Sequence, residues 1–235
     1  MLAAIAICIL LFIAWLCLTE FSYVPLSANK WVYQVFAKEY EAKWNSTAYS
    51  DMDFQQPIID ALRPALEGNN ERILVDLACG TGRMSRLVLA QEWFSGQVIA
   101  IDQSREMLHV LEREIQNWPA KSRSRLKVLC SNLDGRFTMP SCDAIAFMEA
   151  GELIPNFPFV LTQIARSLRP GGILVTTRPP SHIGCWFFGR GQTRSAFSKL
   201  LCSLDFVQIH EMPWRWRYKI VIAKKRHVNS PPIAA

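Results

Sequence analysis

Val75-Asp76-Leu77-Ala78-Cys79-Gly80-Thr81-Gly82-Arg83 is the stretch on which the fold turns. Residues 73–77 read as a buried strand, 78–82 as a tight turn, and a helix starts at once over 83–93. Glycines at such a turn permit positive φ and let a ligand approach the backbone without a β-carbon in the way. The helix N-terminus adds free N–H donors and a partial positive charge. Asp76 brings a carboxylate close to the same place, which favours a cationic group over a pyrophosphate. Ser85 stands where a dinucleotide fingerprint carries its third glycine, and both details argue against a nicotinamide oxidoreductase. Asp102 ends the next strand, twenty residues after Gly82, placed to accept hydrogen bonds from a ribose diol. The alternative is that Asp102 merely caps the following helix together with Ser104.

Outward from this loop, strands and helices alternate. Strands are expected at 97–101, 126–130, 143–148 and 172–177, and helices at 104–116, 157–168 and 193–204. Alternation at this spacing means parallel strands with helices on both faces. The last two strands, 206–210 and 218–223, are joined by only the seven residues of 211–217, too few for a crossover helix. They should pair as an antiparallel hairpin. Upstream, 30–44 carries apolar side chains at 32, 33, 36, 37, 40 and 44, a helical spacing, and 58–67 reads as a short helix with Pro64 near its middle or at a break. The expected organisation is an anchor over 1–22, a linker with helices over 23–70, the ligand-binding domain over 71–225 and a tail over 226–235.

Half the residues are hydrophobic and 20% are charged, so the chain is neither disordered nor of low complexity. Lys+Arg exceeds Asp+Glu by 26 to 20, a formal charge of +6, short of the dense patch of a nucleic-acid binder. The seven cysteines form no Cys-x-x-Cys pair, which speaks for free thiols over a disulfide framework or a metal site. The apolar run Leu2–Leu18 would reach roughly 26 Å as a helix, and Trp15, Phe21 and Tyr23 sit where interfacial aromatics belong. It reads as a single-pass membrane anchor. The alternatives are a packed helix and a cleaved signal peptide; against the latter, no basic residue precedes the run and no convincing small-x-small cleavage site follows it. Lys30, Lys38 and Lys43 follow it and no basic residue precedes it, which places the body in the cytoplasm.

The combined pattern resembles the class I S-adenosylmethionine-dependent methyltransferases over roughly residues 30–225. DLACGTG (76–82) matches their first motif, Asp102 their ribose-binding acid, and LRPGGIL (168–174) their turn into the fifth strand. The stretch from Tyr33 to Tyr40 is similar to the tyrosine-bearing helix of small-molecule, quinone-biosynthesis enzymes. The resemblance implies an α/β, Rossmann-like, seven-stranded sheet of order 3-2-1-4-5-7-6 whose final strand is antiparallel. It implies S-adenosylmethionine held by Tyr40, Asp76, Ala78, Cys79, Gly80, Gly82, Asp102, Gln103, Asn132, Leu133 and Met148. Cys79 has a small backbone-facing position and no nucleophilic role. Catalytic candidates are Glu149, after the fourth strand, and His182, in the insertion 178–191 with its Trp186, Phe187 and Phe188. That insertion suits a lid, an acceptor wall or a lipid-touching surface, while the aromatic-basic run 214–218 is read as packing in the hairpin connection. The expected partners are a small or lipid-like methyl acceptor and a membrane, without nucleic acid. A non-catalytic scaffold of the same fold is the alternative.

Overall fold

The computed structural model describes residues 2–19, 23, 52–133, 137–188, 190–215 and 218–227. Its centre is a seven-stranded sheet of order β3-β2-β1-β4-β5-β7-β6. The strands are β1 (Ile73–Leu77), β2 (Gln97–Asp102), β3 (Leu126–Cys130), β4 (Cys142–Phe147), β5 (Leu168–Arg178), β6 (Phe206–Arg215) and β7 (Tyr218–Lys225). The first five pair in parallel, and β7 runs antiparallel to both β5 and β6. This is the sheet and order expected.

In β1, β2, β4 and β5 the apolar runs are buried on both faces, as a parallel sheet under two helical layers requires. Side chains alternate between two cores. Val75, Leu77, Ile145 and Phe147 join one with Val160, Leu161 and Ile164 of α6 (Phe157–Ser167) and Phe197 and Leu201 of α8 (Arg194–Ser203). Leu74, Val98, Ala144 and Val175 join the other with α2 (Met52–Leu66), α3 (Arg83–Leu89) and α4 (Arg105–Ile115). A short α5 (Ala120–Arg123) leads into β3, and α7 (Ser181–Gly184) follows β5.

Several boundaries differ from expectation. α2 starts earlier than position 58 and runs unbroken through both Pro57 and Pro64. Fully buried Ile58, Leu62 and Leu66 hold it against the sheet and offset the backbone hydrogen bonds the prolines remove. LRPGG is no separate turn. Leu168 already pairs with Cys142, and the register slips before Ala144 pairs with Ile173, so the glycines form an irregularity within β5. Gly171 has φ +82°, and a Cβ on Gly172 would sit 2.9 Å from the Asp143 carbonyl. The hairpin is tighter than seven residues, because β6 continues to Arg215 and only 216–217 separate it from β7. Asp143 clasps the amino ends of the strands. Its carboxylate accepts from Ile73 N–H (2.9 Å), Arg72 (2.8 Å) and Arg169 (2.7 Å). Burial pushes its carboxyl up, but those three donors outweigh it and hold the group below its ordinary value.

The amino-terminal run forms α1 (Leu2–Leu18), 17 residues and about 26 Å long. That is short of the roughly 30 Å of a bilayer's hydrocarbon core. Among the described residues no helix is long and apolar enough to cross a membrane. The expected transmembrane helix is therefore not found. The expected 30–44 helix, Tyr40 included, lies outside the described residues.

Candidate active site

The loop between β1 and α3 is held open by backbone geometry. Ala78 (φ 53°), Gly80 (φ 55°) and Gly82 (φ 82°) alternate through the left-handed region. Gly80 shows why glycine stands there, since a Cβ on it would meet nothing within 4 Å and would project into open space. A Cβ on Gly82 would lie 2.4 Å from a Leu111 methyl, so that glycine also lets α4 close on the loop.

Two buried carboxylates hold the loop from either side. Asp102 accepts from Gly80 N–H and Ser104 N–H, each at 2.8 Å, which ties the ends of β1 and β2 together. Ser104 itself caps α4 by accepting from Met107 N–H. Asp102 is thus more than a helix cap, and an ionised carboxylate retains acceptor capacity for a diol. Asp76 accepts from both the N–H (2.8 Å) and the hydroxyl (2.6 Å) of Ser85, capping the first turn of α3 from a neighbouring strand. Ser85, out of place in a dinucleotide fingerprint, is here the partner of Asp76. Burial raises Asp76 to about 6 against the hydrogen bonds from Ser85, and nearby Asp102 adds to the rise. Burial likewise raises Asp102, against the N–H groups of Ser104 and Gly80, and it pushes the Cys79 thiol up.

A cleft of about 150 Å³ opens over this loop. Of the residues named from the sequence, Asp76, Ala78, Cys79, Gly80, Asp102, Gln103, Leu133 and Met148 line it. Gly82 shapes the loop without lining the cleft, and Asn132 is exposed and off the lining, so the wall at that point is Leu133. Glu149 lines the cleft. Its φ is +55°, its N–H donates to Thr177 Oγ1 at 2.6 Å, and its carboxylate lies 3.9 Å from the Arg83 guanidinium. His182 is exposed on α7 and does not line the cleft.

Sequence reasoning missed Thr81, Arg83 and Trp214 in the lining. Thr81 and Arg83 sit inside the quoted motif and were legible from it. Trp214 was assigned to the hairpin connection, but the longer β6 carries it to the cleft, 9% exposed.

The residues present fit S-adenosylmethionine. Open space over Gly80 leaves room for a ligand against the backbone, and Thr81 Oγ1 is buried without a hydrogen-bond partner among the described residues. Two carboxylates suit a cation and a diol, and Met107, Leu133 and Met148 offer an apolar wall. The cavity is smaller than the roughly 300–1,000 Å³ of whole ligand pockets, so the described walls enclose part of such a ligand.

A model of the methyltransferase domain matches residues 75–176. An uncharacterized chloroplastic methyltransferase of Arabidopsis thaliana is 36% identical over 120 residues, covering 49% of this chain and 32% of that protein. The demethylmenaquinone methyltransferase of Symbiobacterium thermophilum is 34% identical over 99 residues, covering 42% of this chain and 39% of that protein. The chain therefore spans well under half the length of these relatives. An O-methyltransferase family 2 protein from Planctomyces limnophilus, solved with apigenin, shares the fold with a TM-score of 0.63 at 16% identity. That match covers 82% of this chain and 61% of the other. With the strand order, the loop and the paired carboxylates in register, residues 75–176 form a methyltransferase domain similar to those of the class I S-adenosylmethionine-dependent enzymes.

Proposed function

We propose that this protein transfers a methyl group from S-adenosylmethionine to a small or lipid-like acceptor at a membrane. The observation that carries the transfer is the cleft over Gly80 flanked by Asp76 and Asp102. When bound, the cofactor supplies a methyl on a sulfonium, which leaves as its C–S electron pair returns to sulfur and the acceptor's lone pair forms the new bond. The chain's task is alignment and exclusion of water. Asp102 would accept from the ribose diol, and Asp76 would face the cationic end. Glu149 stands at the cleft where an acceptor proton would be taken up, if the acceptor has one to lose.

The apolar run Leu2–Leu18 supports a membrane setting. As α1 it exposes Ile5, Leu10, Leu11 and Phe12, and it has no polar face. Embedded in lipid, it would hold the body at the cytoplasmic surface, in line with the lysines that follow. The name of the Symbiobacterium relative is consistent with an apolar, quinone-like acceptor.

Calorimetric titration of S-adenosylmethionine into the full chain, beside an Asp76→Ala, Gly80→Ala double variant, tests the donor site. Binding that the variant loses is expected. No binding to the folded wild type overturns the proposal. Labelled methyl transfer in membrane extracts, compared with soluble extracts, then identifies the acceptor class. Loss of vesicle flotation on deleting 1–22 tests the tether.

A further inference from the structure

α1 and the segment after β5 meet at their aromatic residues. The Trp15 indole N–H donates to the Trp186 carbonyl, and the Tyr23 hydroxyl donates to the Phe188 carbonyl, each at 2.9 Å. The Trp15 and Phe188 rings lie 5.7 Å apart. The Arg190 guanidinium stacks over Tyr23 at 4.2 Å and donates to the Leu153 carbonyl at 3.0 Å, and Leu153 lines the cleft.

The segment is built to hold its rings outward. Phe187 is buried as an anchor, while Trp186 and Phe188 on either side are 47% and 67% exposed. Gly191 N–H donates to the Phe187 carbonyl, and a Cβ on Gly191 would collide with the Gly184 carbonyl. The bend is thus closed at its base, and its two aromatics cannot simply fold inward. Together with the exposed side chains of α1 they form one apolar surface, of a kind that soluble monomers rarely present.

We infer that Trp186, Phe188 and the carboxyl end of α1 form a single contact with an anionic lipid bilayer that seats the cleft wall at the membrane interface. Charge selects this occupant. Residues 1–19 and 178–204 contain no Asp or Glu, whereas the second stretch carries Arg190, Arg194 and Lys199, the last two exposed. Such a basic, acid-free stretch attracts anionic headgroups. A two-fold dimer would set the same basic residues against themselves. The Trp15 and Tyr23 rings lie 5.0 Å apart with their polar tips satisfied, as aromatics do at a membrane–water boundary. The inference deepens the membrane reading above by adding a second contact from the catalytic domain itself, and it uses the methyltransferase reading only for the identity of the cleft.

Hydrogen exchange of the full chain tests this with vesicles of phosphatidylcholine alone and of phosphatidylcholine with phosphatidylserine. Amides over 185–190 should gain protection on the anionic vesicles and far less on the neutral ones. Trp186→Ser with Phe188→Ser should weaken partitioning by about tenfold or more. Arg194→Glu with Lys199→Glu should erase the preference for phosphatidylserine. Both variants should bind S-adenosylmethionine as the wild type does, which shows that they fold. Protection confined to α1, or partitioning unchanged in the aromatic variant, overturns the inference. So does a dimer that the aromatic variant dissociates while vesicles protect nothing. Failure of the methyltransferase reading shows separately, as vesicle protection without binding of the methyl donor.

Discussion

Asp76→Asn separates what the buried carboxylate costs from what it does. Asp76 is 3% exposed, and burial lifts its carboxyl from the ordinary 3.8 to about 6. A folded-state pKa above the unfolded one favours the protonated form in the fold. Its contribution to stability is therefore complete below pH 3.8, declines between 3.8 and about 6, and is lost above. At about 1.36 kcal/mol per pH unit, the ionised group costs the folded chain about 3 kcal/mol near pH 7.5 and about 1 kcal/mol near pH 4.5. The amide has the same shape, keeps an oxygen for the two donors of Ser85, and carries no charge. Without ligand, the variant should be the more stable protein, by up to about 3 kcal/mol at the higher pH, with the gap narrowing to about 1 kcal/mol at the lower. Urea denaturation of both proteins at the two pH values measures this. Affinity for S-adenosylmethionine, read by calorimetry, should move the other way and fall at least about tenfold, or about 1.4 kcal/mol. A variant less stable than the wild type near pH 7.5, or a gap equal at both pH values, would refute the assigned cost. Unchanged affinity would refute the ligand role.

The two motif glycines should separate in their effects. Gly80→Ala strains a φ of +55° and fills the cleft, so donor binding should be lost with a stability change of only about 1–2 kcal/mol, read by calorimetry and thermal unfolding. Gly82→Ala adds the Leu111 contact to its own strain and should lower the melting temperature further than Gly80→Ala does. Arg178 donates to Glu211 at 2.9 and 3.1 Å with both side chains largely buried, so Arg178→Ala should cost about 3–5 kcal/mol in denaturant unfolding. Glu211→Gln, which keeps an acceptor, should cost less. The depressed carboxyl of Asp143 contributes stability above pH 3.8 that is lost as pH falls through its folded-state value. Asp143→Asn should accordingly be destabilised at neutral pH and approach the wild type in acid.

The strand order was legible only through the family resemblance, whereas nearly every element was legible because a sheet covered on both faces leaves near-continuous apolar runs separated by turn residues. Ile73–Leu77 could be bounded to the residue for this reason, and the edge strand Leu126–Cys130 was bounded equally well although Leu129 and Cys130 are exposed. Boundaries shifted where long-range contacts extend an element beyond its local signal. β5 begins at Leu168 because Cys142 pairs with it, and β6 reaches Arg215 because β7 lies alongside. The same extension brings Trp214 to the cleft, which no local pattern announces. Asn132 lies off the cleft lining for a related reason, because where a loop side chain points depends on what packs beneath it, and there the buried residue is Leu133.

The sequence by itself determined the fold class, the ligand loop and the two carboxylates that face it, because these rest on periodicity and on glycines spaced along a single segment. Tertiary structure alone decided the rest. It showed that Asp76 caps α3 through Ser85, that Asp102 ties two strand ends, and that α1 meets the bend after β5 some 170 residues further along the chain. The helix α1 has the bounds read from the sequence, and among the described residues no helix is long and apolar enough to cross a membrane. Local spacing encodes which residues share a face, but which faces meet, and what charge or hydrogen bond each buried group then finds, is set only when the chain closes on itself.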